Sequence, residues 1–299
     1  MKNLTMAFLL AVATQAFSQN LDKIRLTDGR EIAADIQKLE GRQLVVSRTL
    51  DFGRSVERYP IDTIAMVTFA GAREADSALA QPTSPARTAK LSRLWETMSP
   101  FLTIPGSPAG RVGLAYARAL AESSLPADRQ KAVSILSLIE TGDWLADRRS
   151  DAFSEKLLVL LAQGQGDEAK KAAEAALQAD GEPNPRLRAG ASYSLALILR
   201  KELADLEKEN PRWELDPAIR PVRNRLYHRI IELLLIPYLE NGLAQASASR
   251  SLWELADFHQ STGNPAEALS VARDISEIYP SSPEAVRAKS LLQTTDNQP

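Results

Sequence analysis

Hydrophobic and polar positions along this chain follow two different periods. Between residues 19 and 71 the period is two. Ile24 and Leu26 alternate with charged residues, and Ile32, Ala34 and Ile36 repeat the pattern after a turn at Asp28-Gly29. Glu40-Gly41 leads into Gln43–Ser47, and Asp51-Phe52-Gly53 leads into a strand through Val56 and Tyr59. Pro60–Ile64 reads as a one-turn helical link before a last strand, Ala65–Phe69. Five short strands at this spacing predict a small closed barrel.

From residue 90 to 293 the period is 3.6. Leu91, Leu94, Trp95 and Met98 share one helix face, followed by predicted helices over 109–122 and 126–140. Asp143 or Asp147 opens a helix that ends near Gly164, and the next one stops at Asp180-Gly181. Longer helices are expected over 186–209 and 222–239, separated by a break from Pro211 to Pro221. Between the two regions, residues 72–89 are rich in Ala, Ser, Thr and Pro and lose apolar periodicity. That predicts a flexible linker, so that cutting near Pro82 releases two folded pieces. Residues 294–299 are expected to be a disordered tail.

Lys2, an apolar run from Met6 to Ala13 and small residues up to Ser18 have the layout of a secretory signal peptide over 1–18. The alternatives are an uncleaved amphipathic or buried N-terminal helix and an uncleaved membrane anchor. The run is shorter than the ~20 residues a membrane span needs, and no second long apolar run follows. A soluble periplasmic protein is therefore expected, with secretion as the alternative.

The clearest internal pattern lies in Ser249–Ser282. Leu255-Ala256, Gly263, Glu267-Ala268 and Pro280 fall where a tetratricopeptide repeat (TPR) places its Leu-Gly, turn Gly, Glu-Ala and closing Pro, so this segment resembles a TPR. Asn264-Pro265 is an N-cap followed by Pro, and Ser281-Ser282-Pro283 caps a further helix to about Leu292. Gly166-Asp167-Glu168-Ala169 repeats the restart as a degenerate unit. The pattern departs at Ala272 and His259, where bulkier aromatic residues are usual. The 19–71 region resembles SH3-like and Sm-like barrels. The expected fold is mainly α, a TPR-like α-α superhelix preceded by a small five-stranded β-barrel domain, with a compact helical bundle as the competing architecture.

Composition removes much chemistry. The chain has no cysteine and only two histidines, which excludes disulfides, thiol nucleophiles and Cys- or His-rich metal sites. A formal charge of −2, and equal numbers of acidic and basic residues in the β region, give no attraction for nucleic acid. No phosphate-cradling glycine loop, zinc-protease motif or nucleophile elbow occurs. No enzyme activity and no cofactor are expected, although spacing leaves open two carboxylates meeting in space.

The TPR resemblance implies a groove lined by the first helix of each pair, here at Arg250, Trp253, Asp257 and Gln260. Trp253 alternatively fills a gap against the 222–239 helix. Arg220, Arg223, Arg225 and Arg229 form the densest basic cluster, an anion site or else a set of ion pairs with Glu202, Asp205, Glu207 and Glu209. The expected function is a non-enzymatic scaffold or adaptor that binds a protein or peptide in envelope assembly or cell division. The alternatives are an accessory module contacting glycan or membrane-protein loops, and a cell-wall hydrolase.

Overall fold

The computed structural model describes residues 21–50, 53–179, 184–241 and 244–296. The leader pattern of 1–18, the turn residues Asp51-Phe52 and the stop at Asp180-Gly181 lie outside them. The protein is mainly α with a small N-terminal β domain, and it divides into two compact units, 1–116 and 117–299.

In the first unit, β1 (Asp22–Leu26), β2 (Glu31–Glu40), β3 (Gln43–Leu50), β4 (Gly53–Pro60) and β5 (Ile64–Thr68) form one antiparallel sheet in the order β4-β3-β2-β1-β5. A 3₁₀ turn, Ile61–Thr63, links β4 to β5 as expected. The pairing of β4 with β5 that would close a barrel is not in the ladder among the described residues. Alternation works as the sequence implies: Ile24, Leu26, Ile32, Ala34, Leu44, Val46 and Val67 are buried on one face. Register places Ile24 opposite Ile32 on one side and Val67 on the other.

The edge at β5 is finished by residues far along the chain. Val67 donates its N–H to the Pro105 carbonyl at 2.8 Å, and Ile104 is fully buried among the sheet's core residues. Gly106 has φ 91°, and a Cβ there would lie 2.1 Å from the Val67 carbonyl oxygen, so only glycine permits this approach. The Asp22 carboxylate accepts from Ile36 N at 3.0 Å and Ala70 N at 2.7 Å, tying the first strand to the exit of the last.

Residues 72–89, expected as a flexible linker, instead hold α1 (Ala72–Leu79) and the start of α2 (Pro85–Met98). The apolar signal is faint because the buried residues of α1 are alanines, Ala75 and Ala78. Alanine is nevertheless the strongest helix former. Ser84 caps α2 by accepting from Arg87 N at 3.2 Å, with Pro85 in the first turn. Arg87 then reaches back to the Ala78 and Leu79 carbonyls at 3.1 and 3.2 Å, closing the end of α1.

Helices α3 (Ala109–Ala121), α4 (Pro126–Gly142), α5 (Ala146–Ala162), α6 (Gly166–Gln178), α7 (Pro185–Glu209), α8 (Ile219–Asn241), α9 (Gln245–Ser261), α10 (Pro265–Ile278) and α11 (Pro283–Asp296) complete the chain. From α4 onward each packs on its successor, and α5 also packs on α7, α7 on α9, and α9 on α11. Thr294–Asp296, expected in a disordered tail, are the last turn of α11.

Two hairpins share one closing device. Gly164 and Gly263 have φ of 79° and 80°. The next residue in each case, Gln165 or Asn264, bonds back to the carbonyl five positions earlier, Leu160 or His259, at 2.9 Å. After each turn, a pair of alanines with no exposed surface (Ala169 and Ala173, Ala268 and Ala272) lets the second helix press against the core. Asn264 sits at the N-cap of α10, but its amide turns away and donates to Tyr227 Oη at 3.0 Å.

Between α4 and α5, buried Asp143 takes a two-pronged contact from Arg148 at 2.9 and 2.8 Å and also accepts from Leu145 N at 2.8 Å. Asp143 thus organises the turn, and α5 starts at Ala146. Among the described residues no helix is long and apolar enough to cross a membrane.

Candidate functional site

Alternate helices α5, α7 and α9 stand side by side, and one stripe of each faces a shared hollow. On α5 the stripe is Asp151, Ser154, Glu155 and Leu158; on α7 it is Arg186, Ala189, Gly190 and Tyr193. These are the three-, four- and seven-residue spacings of one helix face. Arg118 from α3, Pro237 from α8 and Ala246, Ser247 and Arg250 from α9 also line this cavity of about 430 Å³.

The helices approach closely because the crossing residues are small. A Cβ on Gly190 would lie 1.7 Å from Ser154 Oγ, so α7 touches α5 where a methyl group has no room. Ser154 turns its hydroxyl to the Ser150 carbonyl at 2.9 Å, which keeps this polar seam satisfied.

Charge in the hollow is ordered in pairs. Arg186 grips Asp151 with two bonds, 2.6 and 2.8 Å, and lies 3.5 Å from Asp147. Arg118 binds Glu155 through Oε1, with its Nε at 2.7 Å and Nη2 on the same oxygen. Burial pushes the Glu155 carboxyl above the usual glutamate range, with the Arg118 contact opposing it. Glu155 Oε2 is buried with no hydrogen-bond partner among the described residues.

Arg250 donates through Nε to Tyr193 Oη at 3.0 Å and lays its guanidinium 4.8 Å over the Tyr193 ring. Burial raises the Tyr193 hydroxyl above the ordinary tyrosine range, so it stays a neutral phenol here. Among the described residues Arg250 has no carboxylate in ion-pair contact. Three arginines and two carboxylates line the hollow, and Asp147, 3.5 Å from Arg186 at its border, brings the local charges into balance.

Of the four groove residues expected from sequence, the structure brings Arg250 to this cavity. Asp257 is taken by Arg200 at 2.8 Å, in a bridge that also includes Glu254 at 2.6 Å. Trp253, half-buried, borders a separate open hollow with Val286, Arg287 and Leu291, the Arg287 guanidinium 6.0 Å from its ring. Gln260 is exposed. The basic cluster lies on α8, away from the cavity. Arg223 pairs with Glu207 at 2.8 Å and stacks on Trp213 and Tyr227 at 4.4 and 4.9 Å, while Arg229 pairs with Glu232 of its own helix at 3.1 Å. Arg225 borders a third hollow with Lys170 and Glu174, and Arg220 is exposed. Glu202, an expected partner of this cluster, is held by Lys170 at 2.9 Å.

Sequence reasoning missed Arg118, Asp151, Glu155, Arg186 and Tyr193. The available signal was the acidic pair four residues apart on α5, and a mid-helix glycine in α7 that marks a close crossing. Among the described residues no group of histidine and carboxylate side chains is placed to hold a metal ion. No protein-family model, no curated protein and no solved structure matches this chain.

Proposed function

We propose that this protein is a non-enzymatic scaffold or adaptor that holds a peptide or protein segment in the hollow between α3, α5, α7 and α9. One observation carries the proposal. A stripe from each of three alternate helices converges on a recess of mixed polar and apolar lining, where Arg250 stacks on Tyr193 and, among the described residues, has no carboxylate in ion-pair contact. An arginine on an aromatic ring in a recess is the kind of anchor that dominates protein recognition. The resemblance of Ser249–Ser282 to a TPR supports the same assignment. So does the hairpin device repeated at Gly164 and Gly263. The leader pattern points to work outside the cytoplasm, in envelope assembly or cell division, with the β domain available to dock a second component.

The test is a cavity-filling variant. Ala246 is exposed and borders the recess, so Ala246→Trp blocks it without disturbing the core. Immobilised protein is presented with a synthetic library of nine-residue peptides, and retained peptides are identified by mass spectrometry. A defined set retained by the wild type and lost in Ala246→Trp, with an unchanged melting temperature, is the expected result. Equal retention by both proteins, or by neither, removes the groove as the binding site.

A further inference from the structure

Granting that the hollow is a peptide site, its unsatisfied atoms specify the chemistry of the ligand. Arg118 and Arg186 are occupied by Glu155 and Asp151. Arg250 uses Nε on Tyr193; the residue is exposed, so its two terminal amino groups face solvent and have no protein acceptor among the described residues. Glu155 shows the converse: Arg118 takes only Oε1, and Oε2 is buried without a donor. Both residues border the recess and also the smaller hollow beside it, between α3, α4 and α5. A buried polar atom without a partner is costly, and native structures retain few of them.

A ligand that satisfies both places must bring an anionic acceptor to Arg250 and a donor to Glu155. We propose that the recess receives a peptide carboxylate flanked by an N–H. The carboxylate bridges the two terminal amino groups of Arg250, and the Glu155 side chain turns to bring Oε2, closed to solvent in the free protein, to the N–H. Phosphate carries the charge but no N–H, and a lysine or arginine side chain would meet Arg118, Arg186 and Arg250 as like charges. Two sources share the required chemistry: the last residue of a chain, and an internal aspartate beside its own backbone N–H.

The experiment prepares the nine-residue library in two forms, with a free C-terminal carboxylate and with a C-terminal amide. Both are presented to the full-length protein and to Arg250→Gln, Arg250→Lys and, as a distant control, Arg225→Gln. The expected result is retention of carboxylate-bearing peptides at about tenfold over carboxylate-free ones, as suits a charge-assisted two-pronged contact. This preference is lost in Arg250→Gln, weakened in Arg250→Lys, which keeps charge but not the planar fork, and unchanged in Arg225→Gln. Preference confined to the free-acid form identifies the chain end, and preference for internal aspartate in the amidated form identifies the side chain. Retention that ignores carboxylates, or that survives Arg250→Gln, overturns the inference while leaving the groove as a peptide site. Retention of nothing in either form overturns both.

Discussion

At the scale of single residues, the polar groups inside the helical unit matter most where they are least exposed. Asp143 has no exposed side-chain surface, and its charge is met by Arg148 and the Leu145 N–H. Removing one partner of a buried pair strands the other, at about 3–5 kcal/mol. Arg148→Met is therefore expected to lower the urea-unfolding free energy by about that amount. Asp143→Leu combined with Arg148→Met is expected to cost less than the single change. A larger loss in the double variant would show that the pair itself stabilises the fold.

His259 offers a second measurement. It is buried beside Phe258, with Nδ1 3.3 Å from Tyr227 Oη, and burial lowers its pKa below 6.5 against a weaker opposing pull from Glu267. The unfolded chain thus takes up the proton more readily than the folded one, so stability present above pH 6.5 falls as pH drops through that value. His259→Gln is expected to flatten the decline in melting temperature between about pH 7 and 5. An unaltered slope would assign the decline to other groups. The position of His259 was legible from the repeat pattern. Its environment was not, because Tyr227 comes from another helix and spacing along one helix cannot show who faces it.

At the scale of elements, two kinds of glycine separate cleanly. Gly263 has φ 80° with open space around its missing Cβ. Gly263→Ala is therefore expected to cost only the left-handed backbone penalty, about 1–2 kcal/mol. Gly190 is helical, and added carbon there meets Ser154 Oγ at 1.7 Å and Cβ at 2.7 Å. Gly190→Ala should cost more than Gly263→Ala and be partly rescued by Ser154→Gly. Urea titrations of the three variants decide this, and absence of rescue would place the strain elsewhere in the α5–α7 crossing. Glycine-Asn-Pro at 263–265 announced its turn because local chemistry encodes it. Gly190 looked like an ordinary weak point in a helix, since a close crossing is a property of two segments. For the same reason α1 escaped notice: its buried face is alanine, which carries little hydrophobic contrast.

At the scale of the whole molecule, the boundary near Pro82 expected from composition gives way to a first unit that extends to residue 116. The sheet depends on Ile104 and on the Val67–Pro105 bond. A fragment ending at residue 82 lacks both, and burial of one isoleucine alone is worth about 1.5–3 kcal/mol. Residues 19–82 should therefore melt well below residues 19–116, as followed by circular dichroism. Equal melting temperatures would show that the sheet is complete without its downstream contacts. Most helices were readable from periodicity, and so was the α-after-β order. The recess was readable only at Arg250, since its remaining lining comes from helices whose neighbours the linear pattern does not name.

The dependence of β5 on Pro105 also sets an order of events during synthesis. Strands emerge first, yet their last edge bond and one core side chain arrive only after two further helices have left the ribosome. Until then the N-terminal segment is an unfinished sheet, held open by its own chain order. Over that interval the β5 edge keeps Val67 N–H without its Pro105 acceptor, a donor open to pairing with any other extended segment.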